Sequence, residues 1–248
     1  MKLDVYLSPR EIAPGEVQGR VVAVIDVLRA STTIAIALAN GARSVIPVEN
    51  VEEAIGWSRQ LERGAIRLAG ERKMLTIPGF DLGNSPREFT PEAVSGATVV
   101  ISTTNGTTAL LGLQGARDIV VASYVNHAVV SAMLRAAVRS DLDISIVCAG
   151  TEGHFSLEDA ACAGRYVDSV AKGPGSPVCN DAALACALID RKYGDNIAKI
   201  FEDSSHGKAL LEAGFGADLV ACAAVDSHPV VPIFQERQIT RLGPDRER

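Results

Sequence analysis

Short apolar runs alternate with longer helical patterns along most of the chain. The first run, Val21–Ile25, has the length and β-branched content of a buried strand. It gives way at once to polar residues, and the Ala-rich apolar stretch 34–40 then predicts a helix ending at Gly41. The run 44–48 predicts a second strand. This opening stretch therefore predicts a strand, a polar turn, a helix and another strand.

The same order of elements occurs a second time. The apolar run Thr98–Ser102 precedes a hydroxyl-rich turn, a predicted helix at 109–113 and a predicted strand at 119–122. Gly-Ala-Arg at 41–43 also matches Gly-Ala-Arg at 115–117, an offset of 115 − 41 = 74 residues. This is consistent with a duplicated βαβ element, and chance similarity between such units is the alternative.

The alternation continues to the end of the chain and predicts the fold class. A strand at 144–148 and helices at 128–140, 157–171 and 181–193 follow. We expect an α/β fold with three α/β/α layers around a largely parallel or mixed sheet. Residues 1–237 form either a single domain or two similar lobes split near 125–143, and 238–248 read as a polar tail.

Three predicted strands, at 21–25, 98–102 and 144–148, end in polar turns. In open α/β sheets, ligands bind beyond the carboxyl ends of the strands. We therefore expect these turns to meet at one rim, which is the predicted active site. A long irregular connection, 71–87, also favours a functional role, because loops of that length are rare in compact domains.

Composition narrows the classes of function. A net charge of −6 with no run of Lys or Arg argues against nucleic-acid binding. The chain shows no signal-peptide pattern and no apolar run of membrane-spanning length, so we expect a cytoplasmic protein without membrane contact. The five cysteines lack metal-site spacing and read mostly as small buried hydrophobes. An apolar content of 47% favours a homo-oligomer, most simply a dimer.

Several phosphate and hydrolase motifs are absent. The chain contains neither a G-x-x-x-x-G-K-[ST] loop nor a G-x-S-x-G elbow, and no Gly-x-Gly-x-x-Gly follows a predicted strand. Cys148 lacks the following Arg that a cysteine phosphatase needs. Asp141 and Asp143 precede their strand, whereas an aspartyl phosphatase needs both carboxylates beyond it.

The remaining polar residues form a set suited to phosphoryl transfer, in which catalysis is mostly positioning and neutralisation of charge. The predicted metal ligands are four carboxylates that could hold Mg²⁺, namely Asp26, Glu158, Asp159 and Asp226. The predicted catalytic residues are Asp26, Arg29 and the proton carrier His206. The predicted substrate-binding residues are Ser31, Thr32, Thr33, Asn84, Ser85, Arg87, Thr103, Thr104, Asn105, Gly106 and Thr107.

Structural roles compete with these assignments. Ser31 or Thr32 can simply cap the predicted helix, and Asp26 can pair with Arg29. If instead the first amides of that helix are free, they can bind an anion. Glu158 and Asp159 lie in the first turn of another predicted helix, where acidic side chains favour the helix dipole.

The motifs VIDVLRASTTI, GNSP, TTNGT, CAG followed by ED, SSHG and VP-x-F together resemble the 2-phosphosulfolactate phosphatase family. The resemblance runs from about Val21 to Phe234. It implies a three-layer α/β fold and a Mg²⁺-dependent phosphatase that converts 2-phosphosulfolactate to 3-sulfolactate and phosphate, a step toward coenzyme M. The residues that stand at the family's motifs are Asp26, Arg29, Asn84, Thr104, Asn105, Glu158 and Asp159.

The expected mechanism is attack of a metal-activated water on a small anionic phosphate ester of a 2-hydroxy acid. A covalent phosphoenzyme on Asp26 or a serine is the mechanistic alternative. Two other functions stay open at this point. One is a non-hydrolytic sensor of a phosphorylated or sulfonated acid, and the other is a lyase or isomerase acting on a phosphorylated acid.

Overall fold

The computed structural model describes residues 1–60, 65–173 and 175–243, which contain eleven strands and ten α-helices. The strands are β1 Lys2–Tyr6, β2 Val21–Ile25, β3 Ser44–Pro47, β4 Ile66–Arg72, β5 Leu75–Thr76, β6 Thr98–Ser102, β7 Asp118–Ala122, β8 Ile144–Cys148, β9 Val178–Cys179, β10 Pro232–Gln235 and β11 Gln238–Arg241. The helices are α1 Ala30–Ala39, α2 Val51–Gln60, α3 Pro91–Val94, α4 Gly106–Leu111, α5 His127–Arg139, α6 Leu157–Val170, α7 Asp181–Tyr193, α8 Ile197–Asp203, α9 Ser205–Glu212 and α10 Gly216–Cys222. Within these ranges, no helix has the length and apolar composition of a membrane span.

All eleven strands belong to one mixed sheet in the order β5-β4-β6-β3-β11-β10-β7-β2-β8-β1-β9. One half contains the parallel strands β4, β6 and β3, and the other contains the parallel strands β7, β2, β8, β1 and β9. The antiparallel hairpin β10–β11 joins the two halves. The α/β prediction is confirmed.

Strand β2 shows how the sheet separates two hydrophobic cores. All five of its residues are buried, as the uninterrupted apolar run predicts. Val21, Ala23 and Ile25 pack in one core, with α5, α6 and α7, whereas Val22 and Val24 pack in another, with α1 and α4. This division follows from the two-residue period of a strand. Helices therefore cover both faces of the sheet.

The sheet curves around α4. Strands β2 and β3 are separated by β7, β10 and β11, so in a flat sheet they would lie about 19 Å apart. Helix α4 nevertheless contacts both strands, although a helix is only about 10–12 Å wide. The curvature brings the loop that follows β6 toward the end of β2.

The two similar units recognised in the sequence interlock. Strand β2 of the first unit pairs with β7 of the second, and β3 of the first pairs with β6 of the second. Three antiparallel pairings separate β2 from β6, so these strands run in opposite senses along the sheet. The turns after β2, β6 and β8 do meet, as expected, but β6 does not run parallel to the other two strands. Its turn reaches the end of β2 because the sheet is curved.

The predicted polar tail is partly a strand. Residues Gln238–Arg241 form β11, in which Ile239 is fully buried and pairs with Val45 of β3. The only sequence signal for this strand is the alternation of Ile239 with polar neighbours. One apolar residue in a short charged stretch is too little to predict a strand. Residues 244–248 of the predicted tail lie outside the described residues.

Gly70, near the end of β4, lies so close to β6 that a side chain there should destabilise the fold. Its φ is +149°, and a Cβ atom there would overlap the backbone carbonyl oxygen of Ser102 on β6. Gly70→Ala should lower the free energy of unfolding by about 3 kcal/mol, since the backbone must strain or β4 must move away from β6.

Gly56 in α2 is the matched control, because a Cβ atom there meets open space. Gly56→Ala should raise the free energy of unfolding by about 0.5–1 kcal/mol through helix propensity. Urea denaturation followed by circular dichroism measures both changes. Equal effects of the two substitutions would contradict the close approach of β4 to β6.

Candidate active site

A cavity of about 520 Å³ opens where the loops after β2, β4, β6 and β8 converge. It combines acidic, basic and hydroxyl side chains with the apolar side chains of Leu28, Met74 and Ala209. Its lining residues are Asp26, Leu28, Arg29, Glu71, Arg72, Lys73, Met74, Asn84, Thr103, Thr104, Asn105, Thr151, Glu152, His206 and Ala209. Seven of the predicted site residues therefore meet at one place, although they come from four separate stretches of the chain.

Asp26 directly follows β2 and is only 8% exposed. Its Oδ1 accepts a hydrogen bond of 3.2 Å from the Ala30 amide. Burial, with a smaller contribution from the negative charges of Glu71 and Glu158, raises the pKa of Asp26 from 3.8 to about 7, although the Ala30 amide and Arg29 act in the opposite direction. The ionised form of Asp26 therefore has too little positive charge around it to balance its own.

Glu158 and Asp159 lie in the first turn of α6, where both are buried and interact electrostatically with Asp26. Burial, together with the charges of Asp26 and Glu158, raises the pKa of Asp159. Its Oδ1 accepts from the Val27 amide at 2.9 Å and its Oδ2 from the Gly150 amide at 3.1 Å. Asp159 thus fastens the loop after β8 to the end of β2, and both of its oxygens are occupied.

The amino terminus of α1 is satisfied within the protein. The amide of Ser31 donates to the backbone oxygen of Asp26, and the Thr33 amide donates to that of Arg29. The three hydroxyls also bond to backbone groups, because Ser31 and Thr32 reach back to Asp26 and Val27, and Thr33 reaches Asn84. Ser31, Thr32 and Thr33 therefore fix the turn, and none of the three predicted substrate-binding residues lines the cavity.

Arg29 links four segments around the cavity. Its Nη1 donates to Asp218 of α10 at 2.8 Å, its Nη2 donates to the Met74 carbonyl at 3.2 Å, and its guanidinium lies over the Phe215 ring. Ser85 donates to the second oxygen of Asp218 at 2.7 Å. Arg29 does line the cavity, but a buried carboxylate already balances its charge.

The loop after β6 packs tightly against Asp26. A Cβ atom at Gly106 would lie 2.7 Å from Asp26 Oδ2, so only glycine permits this approach. The Thr107 hydroxyl donates to the Thr103 carbonyl within the loop, whereas Thr103, Thr104 and Asn105 face the cavity. Gly106 and Thr107 are thus positioned to shape the loop rather than to contact a ligand in the cavity.

Glu71 is a lining residue that the sequence analysis missed. Its Oε1 accepts from the amide and hydroxyl of Thr104 at 3.0 Å each, and its Oε2 accepts from the Met74 amide at 2.9 Å. Glu71 therefore ties the β4–β5 hairpin to the loop after β6. The long connection at 71–87 was the available signal, but its length alone indicated no particular residue.

Asp218 was also missed, because nothing in its apolar sequence context indicated a partner for Arg29.

Two predicted residues approach the cavity from other elements. Asn84 is 6% exposed, and its buried Oδ1 has no hydrogen-bond partner among the described residues. An unpaired buried amide oxygen of this kind is costly, so it indicates a place for a ligand or water. His206, near the start of α9, is half-buried and lines the opposite part of the wall.

Two other predicted residues lie elsewhere. Asp226 is exposed and its Oδ1 accepts from the Ala128 amide at the start of α5, where an acidic side chain favours the helix dipole. Arg87 is exposed in the turn Pro86–Glu88. Neither residue lines the cavity. Asp226 and Arg87 are therefore not among the residues that this cavity brings together.

Comparison with known proteins supplies the family. The model of the 2-phosphosulpholactate phosphatase family matches residues 6–237. The chain belongs to this family. A probable 2-phosphosulfolactate phosphatase of Symbiobacterium thermophilum is 42% identical over 228 residues, which cover 92% of this chain and 96% of the relative. Proteins of the same name from Caldanaerobacter subterraneus subsp. tengcongensis and Clostridium acetobutylicum are 39% and 36% identical, over 94% and 96% of this chain and 95% and 100% of each relative. The resemblance carried by the sequence motifs, and with it the prediction of a phosphatase, is confirmed.

The raised pKa of Asp26 predicts a specific pH dependence of stability. A carboxyl group whose pKa is about 7 when folded and 3.8 otherwise stabilises the fold fully below about pH 4, and this contribution is lost as the pH rises through 7. Without divalent ions, Asp26→Asn should therefore be about 2–4 kcal/mol more stable than the parent protein at pH 8. Asparagine can still accept the bond from the Ala30 amide.

Chemical denaturation in EDTA from pH 4 to pH 8 measures this difference. Asp141→Asn is the matched control, because Asp141 is exposed and its φ of 57° suits asparagine equally well. The control should follow the pH dependence of the parent protein. A constant difference in stability between Asp26→Asn and the parent protein at all pH values would contradict the burial of an uncompensated charge.

Proposed function

We propose that this chain is a Mg²⁺-dependent phosphatase that hydrolyses 2-phosphosulfolactate to 3-sulfolactate and phosphate. Family membership supports the reaction, and the names of the relatives support the substrate. The single observation that carries the mechanism is the buried carboxylate of Asp26 in the cavity wall, on which the charge of the buried Glu158 acts. This activity would form sulfolactate in the cytoplasm as a step toward coenzyme M.

The buried carboxylates suit a Mg²⁺ ion that takes only some of its ligands from the protein. Among the described residues, no three His, Cys, Asp or Glu side chains are arranged to hold a metal by themselves. Mg²⁺ commonly takes only one or two carboxylates and completes its shell with water and substrate phosphate. Asp26 and Glu158 are therefore the proposed ligands, while Asp159, whose two oxygens are occupied, supports the loop behind them. A bound Mg²⁺ supplies positive charge to the phosphate and lowers the pKa of a coordinated water.

The other groups of the cavity hold and shield the phosphate. Thr103 and Asn105 present hydroxyl and amide groups beside Asp26, and Arg29 adds the N–H groups that Asp218 and Met74 leave free. His206 faces the same space and can give a proton to the departing alkoxide of the 2-hydroxy acid. These groups neutralise charge that grows in the transition state.

Direct attack by water is the favoured route over a phosphoenzyme. One oxygen of Asp26 accepts the Ala30 amide and the other lies close to Gly106, which restricts the directions from which Asp26 can attack phosphorus. Trapping ³²P on the protein during turnover would favour the covalent route instead.

The proposal predicts release of phosphate that depends on both Mg²⁺ and Asp26. Phosphate release from 2-phosphosulfolactate should stop in EDTA and return with added Mg²⁺. Asp26→Asn should lower kcat by about 10²–10³, because one charge-stabilising group is lost while the fold is kept. Asp141→Asn should keep the parent rate. A coupled assay for free phosphate, run also with 2-phospholactate, makes the measurement.

The outcomes separate the competing functions. Undiminished release in EDTA would contradict the role of Mg²⁺. Tight binding without release of phosphate from any ester would favour a sensor. Conversion of the ester without free phosphate would favour a lyase or an isomerase.

A further inference from the structure

The β4–β5 hairpin contributes two cations to the cavity that the phosphate end of the site does not use. Arg72 and Lys73 both line the cavity. Within residues 1–60, 65–173 and 175–243, neither forms an ion pair with a carboxylate. Arg29 differs from both, because Asp218 balances its charge. The hairpin is therefore the part of the wall where positive charge remains uncompensated.

Arg72 is held in a fixed orientation by neutral oxygens. Its Nη1 donates to the carbonyls of Glu71 at 2.8 Å and Ser102 at 3.2 Å, and its Nη2 donates to Ser102 Oγ at 2.9 Å. These bonds use part of the guanidinium and leave its charge unpaired. A preoriented guanidinium suits a planar or tetrahedral oxyanion, since little side-chain freedom is lost when the anion binds.

Lys73 stands at the tip of the hairpin in a turn that does not favour lysine. Its φ is 51° and that of Met74 is 70°, in a two-residue turn between the paired residues Arg72 and Leu75. Such turns favour asparagine and glycine. The turn is fixed from both sides, because Glu71 accepts the Met74 amide and Arg29 donates to the Met74 carbonyl. Lys73 is thus displayed at the cavity at some cost to local stability.

We propose that Arg72 and Lys73 bind the acid group of the substrate that is remote from its phosphate. This inference rests on the proposed function, in which the phosphate lies toward Asp26. 2-Phosphosulfolactate carries a carboxylate and a sulfonate in addition to its phosphate, and these anionic groups need cations of their own. The hairpin supplies two lining cations from a chain segment other than the turn that carries Asp26. The specificity of the site for esters with a second acid group therefore resides in the hairpin.

Replacement of Lys73 tests this inference with opposite effects on stability and binding. Lys73→Asn should keep or raise the melting temperature, because asparagine suits a positive φ. It should raise KM for 2-phosphosulfolactate about tenfold more than KM for p-nitrophenyl phosphate, which has no second acid group. Lys73→Arg should restore most of the lost affinity. Steady-state phosphate release measures each value.

The hairpin β10–β11 offers a matched control. Arg237 also lies in a two-residue turn with a positive φ of 63°, pairs with Glu53, and does not line the cavity. Arg237→Asn removes the same charge from the same kind of turn and should leave the KM ratio of the two esters unchanged. An equal rise in KM for both esters with Lys73→Asn, or no rise for either, would overturn the inference.

A binding measurement separates failure of the inference from failure of the proposed function. 3-Sulfolactate has no phosphate and can be titrated calorimetrically without turnover. Its dissociation constant should rise about tenfold in Lys73→Asn and return in Lys73→Arg. Absence of phosphate release by the parent protein would contradict the proposed function alone. Equal binding of 3-sulfolactate by the parent and Lys73→Asn would overturn the role of the hairpin, whatever the activity.

Discussion

Repulsion between carboxylates that are buried together at the end of β2 is the constraint on which the site depends. Asp26, Glu158 and Asp159 are each at most 8% exposed, and their charges act on one another. Two of the three make hydrogen bonds to backbone amides, which stabilise the charged forms only in part. Such a cluster lowers the stability of the free protein near neutral pH, and a divalent cation would remove that cost. Burial of these acids is the feature on which the proposed cation site rests.

A second set of contacts keeps distant segments in place around these acids. Glu71 joins the β4–β5 hairpin to the loop after β6, and Asp159 joins the loop after β8 to β2. Arg29 connects the turn after β2 to the hairpin and to α10. Each of these charged groups therefore positions a segment of the wall. The cavity is assembled by polar contacts on the end of a sheet whose hydrophobic cores lie elsewhere.

The sequence predicted the elements of the fold well and their assembly less well. Apolar runs predicted β2, β6 and β8, and Asp181–Tyr193 was predicted to the residue, because buried strands and amphipathic helices have clear local patterns. The curvature of the sheet and the strand β11 depend on contacts between distant residues, which no local pattern records. Asp26 and Asn84 were found from their motifs. Glu71 and Asp218 were missed, because their partners lie 33 and 189 residues away in the chain.

The central claim is that the buried acids around Asp26 form a site for one divalent cation. Isothermal titration of Mg²⁺ at pH 6.5, repeated in buffers of different ionisation enthalpy, tests it most directly. A group with a pKa of about 7 is about three-quarters protonated at that pH, so binding of one Mg²⁺ should release about three-quarters of a proton from Asp26. Asp26→Asn should abolish this release. Saturable Mg²⁺ binding without proton release, or no binding at millimolar Mg²⁺, would contradict the account.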